Sequence, residues 1–170
     1  MDIASELGCK GVIFHTNIIP GFETESYLEG YLRMNALFFE KLCKAYPDLN
    51  VYVENMFDYK PDMQSRLAKK LEKVTNFGLC YDVAHGEVHD VGMNDWFKSL
   101  KPYIRHLHIN DNDGKADLHM SVGSGVIDWK KYFELIEELD ESVGMLIEVN
   151  GGKKQEESFE YLAQNGFIKI

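Results

Sequence analysis

Five side chains that can bind a metal ion or move a proton stand at or near the C-terminal ends of five short apolar segments. They are His15, Glu54, Asp82, His108 and Glu148. The segments are rich in β-branched and aromatic residues, as is typical of buried parallel strands. Because parallel strands direct their C-terminal ends to the same edge of a sheet, we expect these five groups to converge on one site.

The loops after two of these segments carry further candidates. His85 lies one helical turn beyond Asp82, and Asp117 and His119 follow the segment that contains His108 after a short polar loop. Two or three histidines among several carboxylates form a borderline donor set, which suits Mn²⁺, Mg²⁺, Co²⁺ or Zn²⁺. The sequence therefore predicts a divalent-metal site rather than a thiolate cluster.

Several of these residues also have simpler explanations. Glu54 and Glu148 could be salt-bridged carboxylates of the core, although burying both without partners would be costly. His15 could contact a bound ligand without binding metal, and Asp117 and His119 could belong to an ordinary polar turn. A metal or catalytic role remains the favoured interpretation for the two glutamates, because Asp82 and His108 share their position at strand ends.

Other polar residues nearby are weaker candidates. His106 shares a strand face with His108 but lies one layer deeper, which favours a hydrogen-bonded core histidine. His89 is expected to be a solvated loop residue. Lys115 and the Gly-Ser-Gly sequence at 123–125 could contact a phosphate, but two glycines so spaced are weak evidence for it.

The elements that must position these groups alternate between strand and helix. The predicted strands are 11–15, 50–54, 77–82, 104–109 and 144–149, with a weak further candidate at 167–170. Helices are predicted at 25–46, at 95–100 with Asn94 as the N-cap, and at 156–164. Two more are predicted to begin at 61–62 and after the N-cap Asp128, and residues 2–7 are predicted to be the last turns of a helix that ends at Gly8. This alternation indicates βαβ units, a parallel sheet and one domain spanning residues 1–170.

Composition excludes several classes of protein. The 170 residues carry 28 acids and 18 bases, a net charge of −10 that repels a phosphate backbone. No apolar run reaches the ~20 residues of a membrane helix, and the first residues do not resemble a signal peptide. The three cysteines, Cys9, Cys43 and Cys80, are expected to be reduced core residues of a cytoplasmic protein. Phe38, Phe39 and Trp129 are expected to pack in the core or against a helix.

The sequence resembles the xylose-isomerase-like TIM-barrel superfamily, which includes sugar and sugar-phosphate isomerases and epimerases and the zinc apurinic endonucleases. The resemblance rests on the order and spacing of several stretches together: 7–15, 53–55, 81–85, 106–111, 117–129 and 146–148. It implies an α/β fold of the (β/α)8 TIM-barrel type. A full barrel takes about 250 residues, so we expect an incomplete barrel in which the N-terminal βα units are missing.

The isomerase and epimerase branch of this family implies one divalent metal held at Glu54, Asp82, His108 and Glu148. The two glutamates would also move protons on a sugar or sugar phosphate through an enediolate, and His85 would contact a substrate hydroxyl. The endonuclease branch implies Zn²⁺ and adds His15, His85, Asp117 and His119 as metal or substrate ligands. Lys115 is a weak candidate for substrate binding.

Three functions follow as expectations. The first is a metal-dependent isomerase or epimerase with a small carbohydrate substrate. The second is a zinc-dependent phosphodiesterase of the apurinic endonuclease type, against which the negative charge and the three arginines argue, so that nucleic acid is an unfavoured partner. The third is a catalytically inactive relative. An open barrel would expose strand edges, which favours a homo-oligomer that covers them.

Overall fold

A parallel sheet of five strands forms one half of a barrel in this computed structural model, which describes residues 1–56, 58–89 and 91–168. The strands are β1 (Gly11–His15), β2 (Asn50–Glu54), β3 (Phe77–Asp82), β4 (Ile104–Ile109) and β5 (Gly144–Ile147). They neighbour one another in chain order, and every pair is parallel. The predicted α/β architecture of the TIM-barrel type is confirmed.

Helices connect consecutive strands, as the alternating pattern predicts. They are α1 (Asp2–Glu6), α2 (Glu25–Ala45), α3 (Asp62–Lys70), α4 (Val83–Glu87), α5 (Met93–Leu100), α6 (Trp129–Ile136) and α7 (Gly152–Gln164), with a 3-10 turn at Lys101–Tyr103 before β4. The Thr24 hydroxyl caps α2, and the Asp128 carboxylate caps α6 by accepting from the backbone N–H of Lys131. No described helix combines the length and apolar character needed to cross a membrane.

The core lies between the sheet and the helices. Val51, Val53 and Leu79 point from the strands into a cluster that includes Leu67 and Trp96 from the helices. Because side chains alternate along a strand, the other face of the sheet carries Glu54, Asp82 and His108. We call this second face the inner face of the half-barrel.

Several boundaries differ from the sequence prediction. Helix α5 begins at Met93, with Gly92 rather than Asn94 at its N-cap, because the Glu87 carboxylate accepts from the backbone N–H of Met93. Helix α7 begins four residues before the predicted start at 156. The short helix α4 was not predicted, and β5 ends at Ile147, before the predicted limit of 149.

One core prediction, that for Cys9, is wrong. Cys9 is exposed, whereas Cys43 and Cys80 are buried as expected. Phe38 is half exposed, because it packs edge-on against Phe39, which fills the buried position. Trp129 is buried as predicted.

The weak strand candidate at 167–170 is wrong for the two residues that the structure describes. Phe167 stacks on Phe133 of α6 with ring centroids 4.4 Å apart, and neither Phe167 nor Ile168 lies in a strand. This stacking holds the chain against the helices rather than at the edge of the sheet. Residues 169 and 170 lie outside the described residues.

Candidate metal centre

The register of the sheet brings four of the predicted residues together. His15 pairs with Glu54 across β1 and β2, and Asp82 pairs with His108 across β3 and β4. Glu148 follows β5 directly, and its backbone N–H donates to the carbonyl of Ile109 at 2.9 Å. One possible ligand atom from each of Glu54, Asp82, His108 and Glu148 lies within 4.8 Å of all the others. We call these four residues the carboxylate cluster.

His108 stands between the two glutamates. Its Nδ1 atom lies 2.8 Å from Oε1 of Glu54 and 2.8 Å from Oε2 of Glu148. Nδ1 of His108 carries at most one proton and can donate it to only one of the two glutamates, and the hydrogen-bond geometry is satisfied with Glu54. Oε2 of Glu148 is therefore buried without a hydrogen-bond partner among the described residues. Because an unsatisfied buried carboxylate oxygen is costly, this position favours a bound cation.

The pKa values of His108 and Glu148 are shifted by the contact of the His108 ring with the carboxylates around it. Burial by itself would lower the pKa of His108, but contacts with Cys80, Glu148 and Glu54 outweigh it and raise this pKa to about 12. The close approach of His108 lowers the pKa of Glu148 below its ordinary value. The site therefore retains a positive charge strongly, and a metal ion would compete with the proton on His108.

Asp82 is held in a fixed orientation by its neighbours. Its two carboxylate oxygens accept hydrogen bonds from the backbone N–H of His85 and from the Asn110 side chain, both at 2.9 Å. The Asn55 side chain accepts from the backbone N–H of Asp82 at 2.9 Å and donates to its carbonyl at 2.8 Å. Burial raises the pKa of Asp82 to about 6. The carboxylate is thus positioned before any ligand arrives.

A second group of possible ligands adjoins the first and consists of His85, Asp117 and His119, which we call the histidine cluster. Nδ1 of His85 lies 2.7 Å from the carbonyl of Asn55, and Nδ1 of His119 lies 2.8 Å from the carbonyl of Glu148. Each Nδ1–H therefore donates to a backbone oxygen. The Nε2 atoms face the Asp117 carboxylate, at 3.4 Å from His85 and 3.2 Å from His119. This is the arrangement in which a histidine presents Nε2 to a metal.

The loop that carries Asp117 and His119 is organised by Asp111. This buried carboxylate accepts from the backbone N–H groups of Gly123 and Ile127 at 3.0 and 3.2 Å, and from the Trp129 indole at 2.8 Å. The loop packs so closely that a Cβ atom on Gly125 would lie 2.1 Å from the carbonyl of Asn112. Close packing therefore accounts for the glycines at 123 and 125 without a phosphate.

The remaining predicted residues lie at the margin of the site. Nε2 of His15 lies 3.3 Å from Oε2 of Glu54, and its side chain is 56% exposed. None of the three groups of possible ligands found among the described residues includes His15. Lys115 is exposed in a turn where its backbone N–H donates to Asp113. The structure therefore places His15 beside Glu54 and Lys115 at the surface of the loop.

Two other histidines differ from their predicted surroundings. His106 is half-buried and stacks on Tyr52 with ring centroids 5.5 Å apart, and burial lowers its pKa. It lies below His108 on the inner face, as predicted, but it is less buried than a core residue. His89 contacts the Tyr59 ring at 5.0 Å, so it is not a freely solvated loop residue.

Comparison with models of protein families identifies the family of this chain. A family model described as the xylose isomerase-like TIM barrel matches residues 1–165. The chain belongs to this family. Among curated proteins it is 23% identical over 146 residues to the uncharacterized protein MJ1311 of Methanocaldococcus jannaschii, covering 80% of this chain and 49% of that protein. The xylose isomerase-like chain thus spans about half the length of this curated relative.

Solved structures share the fold. A D-tagatose 3-epimerase-like protein is 23% identical with a TM-score of 0.80, covering 96% of this chain and 64% of that one. The TTHB071 protein from Thermus thermophilus, soaked with ZnCl2, is 26% identical with a TM-score of 0.75, covering 99% of this chain and 66% of that one. The fold of this chain therefore also occurs within these two longer chains.

The donors of this xylose isomerase-like chain fit a divalent cation. The carboxylate cluster offers three carboxylates and one imidazole, and Oε2 of Glu148 is buried there without a hydrogen-bond donor among the described residues. Oxygen-rich sets of this kind suit Mn²⁺ or Mg²⁺, whereas the two imidazoles of the histidine cluster suit Zn²⁺.

Sequence reasoning missed three residues that the site uses. Asn55 and Asn110 fix the Asp82 backbone and carboxylate, and each directly follows a predicted strand. Cys80 lies in a group with Glu54 and His108 whose possible ligand atoms are within 4.8 Å of one another. Its position two residues before Asp82 was the available signal, because alternation places both side chains on one face.

Proposed function

We propose that this chain carries the active site of a divalent-metal-dependent isomerase or epimerase, which acts on a sugar or sugar phosphate by proton transfer. One observation carries the proposal: Glu54, at the end of β2, and Glu148, directly after β5, approach the same His108 nitrogen at 2.8 Å. Two carboxylates at one metal site can remove a proton from a bound substrate and return it. The shared fold with a D-tagatose 3-epimerase-like protein supports this class of substrate.

Glu54, Asp82, His108 and Glu148 are the residues that would hold the metal. When bound, a divalent cation would polarise the carbonyl of an α-hydroxy ketone and acidify the adjacent C–H bond. Asp82 would contribute with little rearrangement, because Asn55 and Asn110 already hold it. The chain supplies the orientation that such a reaction requires.

The two glutamates differ in exposure, which suggests different roles. Glu54 is 1% exposed, so a proton that its carboxylate takes from the substrate would be shielded from water. Its Oε1 accepts a hydrogen bond from His108. The Glu148 side chain is 35% exposed, so its carboxylate can exchange protons with solvent. One glutamate would remove the carbon-bound proton and the other would return one on the opposite side. His85, whose Nε2 lies 3.4 Å from Asp117, would contact a substrate hydroxyl.

Solvent exchange tests this proposal directly. Purified protein with Mn²⁺ is incubated in D₂O with ketoses and ketose phosphates, including D-tagatose, and loss of the carbon-bound proton signal is followed by NMR. We expect metal-dependent exchange and a second stereoisomer or the corresponding aldose. Mn²⁺ binding at the site without exchange in any ketose of the panel would contradict the proposal.

The histidine cluster favours one alternative, a zinc-dependent phosphodiesterase. His85, Asp117 and His119 add nitrogen-rich ligands beside the carboxylate cluster, and several metal ions could then bind. The net charge of −10 opposes binding to nucleic acid. Metal analysis separates the two functions: three Zn²⁺ per chain with cleavage of an abasic oligonucleotide supports the phosphodiesterase, and one Mn²⁺ or Mg²⁺ per chain supports the isomerase.

A further inference from the structure

We propose that Cys80, Glu54 and His108 form a second, sulfur-containing cation site that selects thiophilic ions such as Cd²⁺ and Zn²⁺. One possible ligand atom from each residue lies within 4.8 Å of the other two, and all three residues are buried. A thiolate, an imidazole and a carboxylate make a softer donor set than the carboxylate cluster. Soft thiolate ligands favour Zn²⁺ and related ions over Mn²⁺ and Mg²⁺.

The strand register places the thiol in this position. Cys80 pairs with Glu54 across β2 and β3, and it lies two residues before Asp82 on the inner face. The sulfur therefore lies level with Glu54 and one layer below Asp82. The other two cysteines are elsewhere: Cys43 is buried in α2 beside the Asn76 carbonyl, and Cys9 is exposed before β1.

An unsatisfied atom also points to a ligand at this level. Nε2 of His108 is buried and has no hydrogen-bond partner among the described residues, and His108 is 3% exposed. Its other nitrogen, Nδ1, already faces Glu54 and Glu148. The histidine therefore has a donor atom that the carboxylate cluster does not use.

The two cation sites share the Glu54 carboxylate and the two nitrogens of one His108 ring, so cations bound at the two sites compete. A thiophilic ion in the sulfur-containing site would take Glu54 from the carboxylate cluster and repel Mn²⁺ at short range. Binding converts the Cys80 thiol to a thiolate and removes the proton from Nε2 of the charged His108 ring, and both protons pass to solvent. This inference rests on the donor set of the proposed function but does not depend on catalysis.

Cadmium titration tests the inference. The C9S/C43S variant retains Cys80 as its one thiol, and we expect one Cd²⁺ per chain with a sulfur-to-cadmium charge-transfer band in the ultraviolet. Adding C80S should remove the band and weaken Cd²⁺ binding at least about tenfold. Retained Mn²⁺ binding by the C80S protein, measured by electron paramagnetic resonance, shows that its fold is intact.

A second measurement uses the unaltered chain, because serine at the buried position 43 could disturb folding. The ¹¹³Cd NMR signal of the wild-type protein should show a sulfur ligand, and one equivalent of Cd²⁺ should release bound Mn²⁺. A band that persists in C80S, a signal from oxygen and nitrogen ligands alone, or simultaneous binding of both metals would overturn the inference. If only the proposed function is wrong, the cadmium signal with its sulfur ligand is still observed, but no ketose exchanges its carbon-bound proton with solvent.

Discussion

Glu148 differs from Glu54 in how its charge is compensated. Glu54 accepts a hydrogen bond from His108, while Oε2 of Glu148 lies 2.8 Å from the same nitrogen without a hydrogen bond. Proximity to His108 lowers the pKa of Glu148, so the group is charged at neutral pH. A carboxylate that is both charged and partly exposed has the properties of a general base and a metal ligand.

The Glu148→Gln substitution should therefore separate function from folding. We expect solvent exchange of the substrate proton to fall about 10²–10⁴-fold, because the amide cannot accept that proton. Metal affinity should fall at least about tenfold. The melting temperature of the metal-free protein should fall only modestly, because the lowered pKa of Glu148 means that its charge stabilises the folded state through His108, while its removal also relieves repulsion from the other carboxylates. NMR exchange, metal titration and thermal unfolding measure the three effects.

Glu156→Gln is the matched control, because Glu156 is exposed on α7. It should leave all three quantities unchanged. Undiminished exchange in the Glu148→Gln protein would remove this residue from the mechanism.

Among the elements, the loop from β4 to α6 depends most on a single buried group. Both Asp111 oxygens accept from backbone or indole N–H groups, and the carboxylate is fully buried. His119 adopts a φ of 45°, which is uncommon for a residue other than glycine. Its carbonyl accepts from Lys154 at 2.9 Å, which helps to hold this conformation. The histidine cluster is therefore positioned by contacts outside itself.

The Asp111→Asn substitution should destabilise the protein by about 2–4 kcal/mol. The substitution removes the negative charge of Asp111. It also replaces one acceptor oxygen with an amide NH₂ group, which cannot accept from the N–H groups that face it. Zinc affinity of the histidine cluster should fall with it, because the loop is less well held. Chemical denaturation and zinc titration measure the two effects.

Asp113→Asn provides the control within the same loop. Asp113 is exposed and accepts from the backbone N–H groups of Lys115 and Ala116. Its substitution should cost less than about 1 kcal/mol. Equal losses from the two substitutions would contradict an organising role for Asp111.

At the scale of the whole molecule, His108 compensates only part of the negative charge clustered at the strand ends, so a bound cation should stabilise the fold. Three carboxylates approach one another in the carboxylate cluster. Saturating Mn²⁺ at 100 times its Kd should stabilise the protein by about 2.7 kcal/mol, or about 5–10 °C in Tm. Calorimetry with and without EDTA measures this. The Asp82→Asn variant, which retains a helix-capping side chain, should show a smaller shift, and an equal shift would place the metal elsewhere.

The half-barrel also presents open strands. In the described residues β1 pairs only with β2, and β5 only with β4. Met145 and Leu146 on β5 are 37% and 48% exposed, which is unusual for strand residues of a barrel. We therefore expect the chain to associate with itself along this edge.

Light scattering after size exclusion should give an average mass above the 19.6 kDa of one chain, rising with concentration. Leu146→Asp should reduce this association, because it places a charge on the open edge. Phe159→Asp, at an equally exposed position on α7, should not. A monomer at all concentrations would show that the edge is not a self-association surface.

Much of the fold was predictable because strand and helix periods are local. The apolar segments that end at His15, Glu54 and Asp82 became β1, β2 and β3 with the predicted bounds. Helix starts were less predictable, as at Met93, because a side chain outside the helix, Glu87, accepts from its first N–H group. The exposure of Cys9 likewise depends on which surfaces the neighbouring elements cover.

The amino-acid sequence by itself determined that acidic and imidazole groups stand at successive strand ends, because alternation and parallel pairing follow from local pattern. The tertiary structure decided how those groups are divided between two clusters, and that His108 lies between Glu54 and Glu148. It also decided that Cys80 lies beside them, through the pairing of β2 with β3. Such distances depend on strand register and loop packing, which join residues far apart in the chain and leave no local pattern.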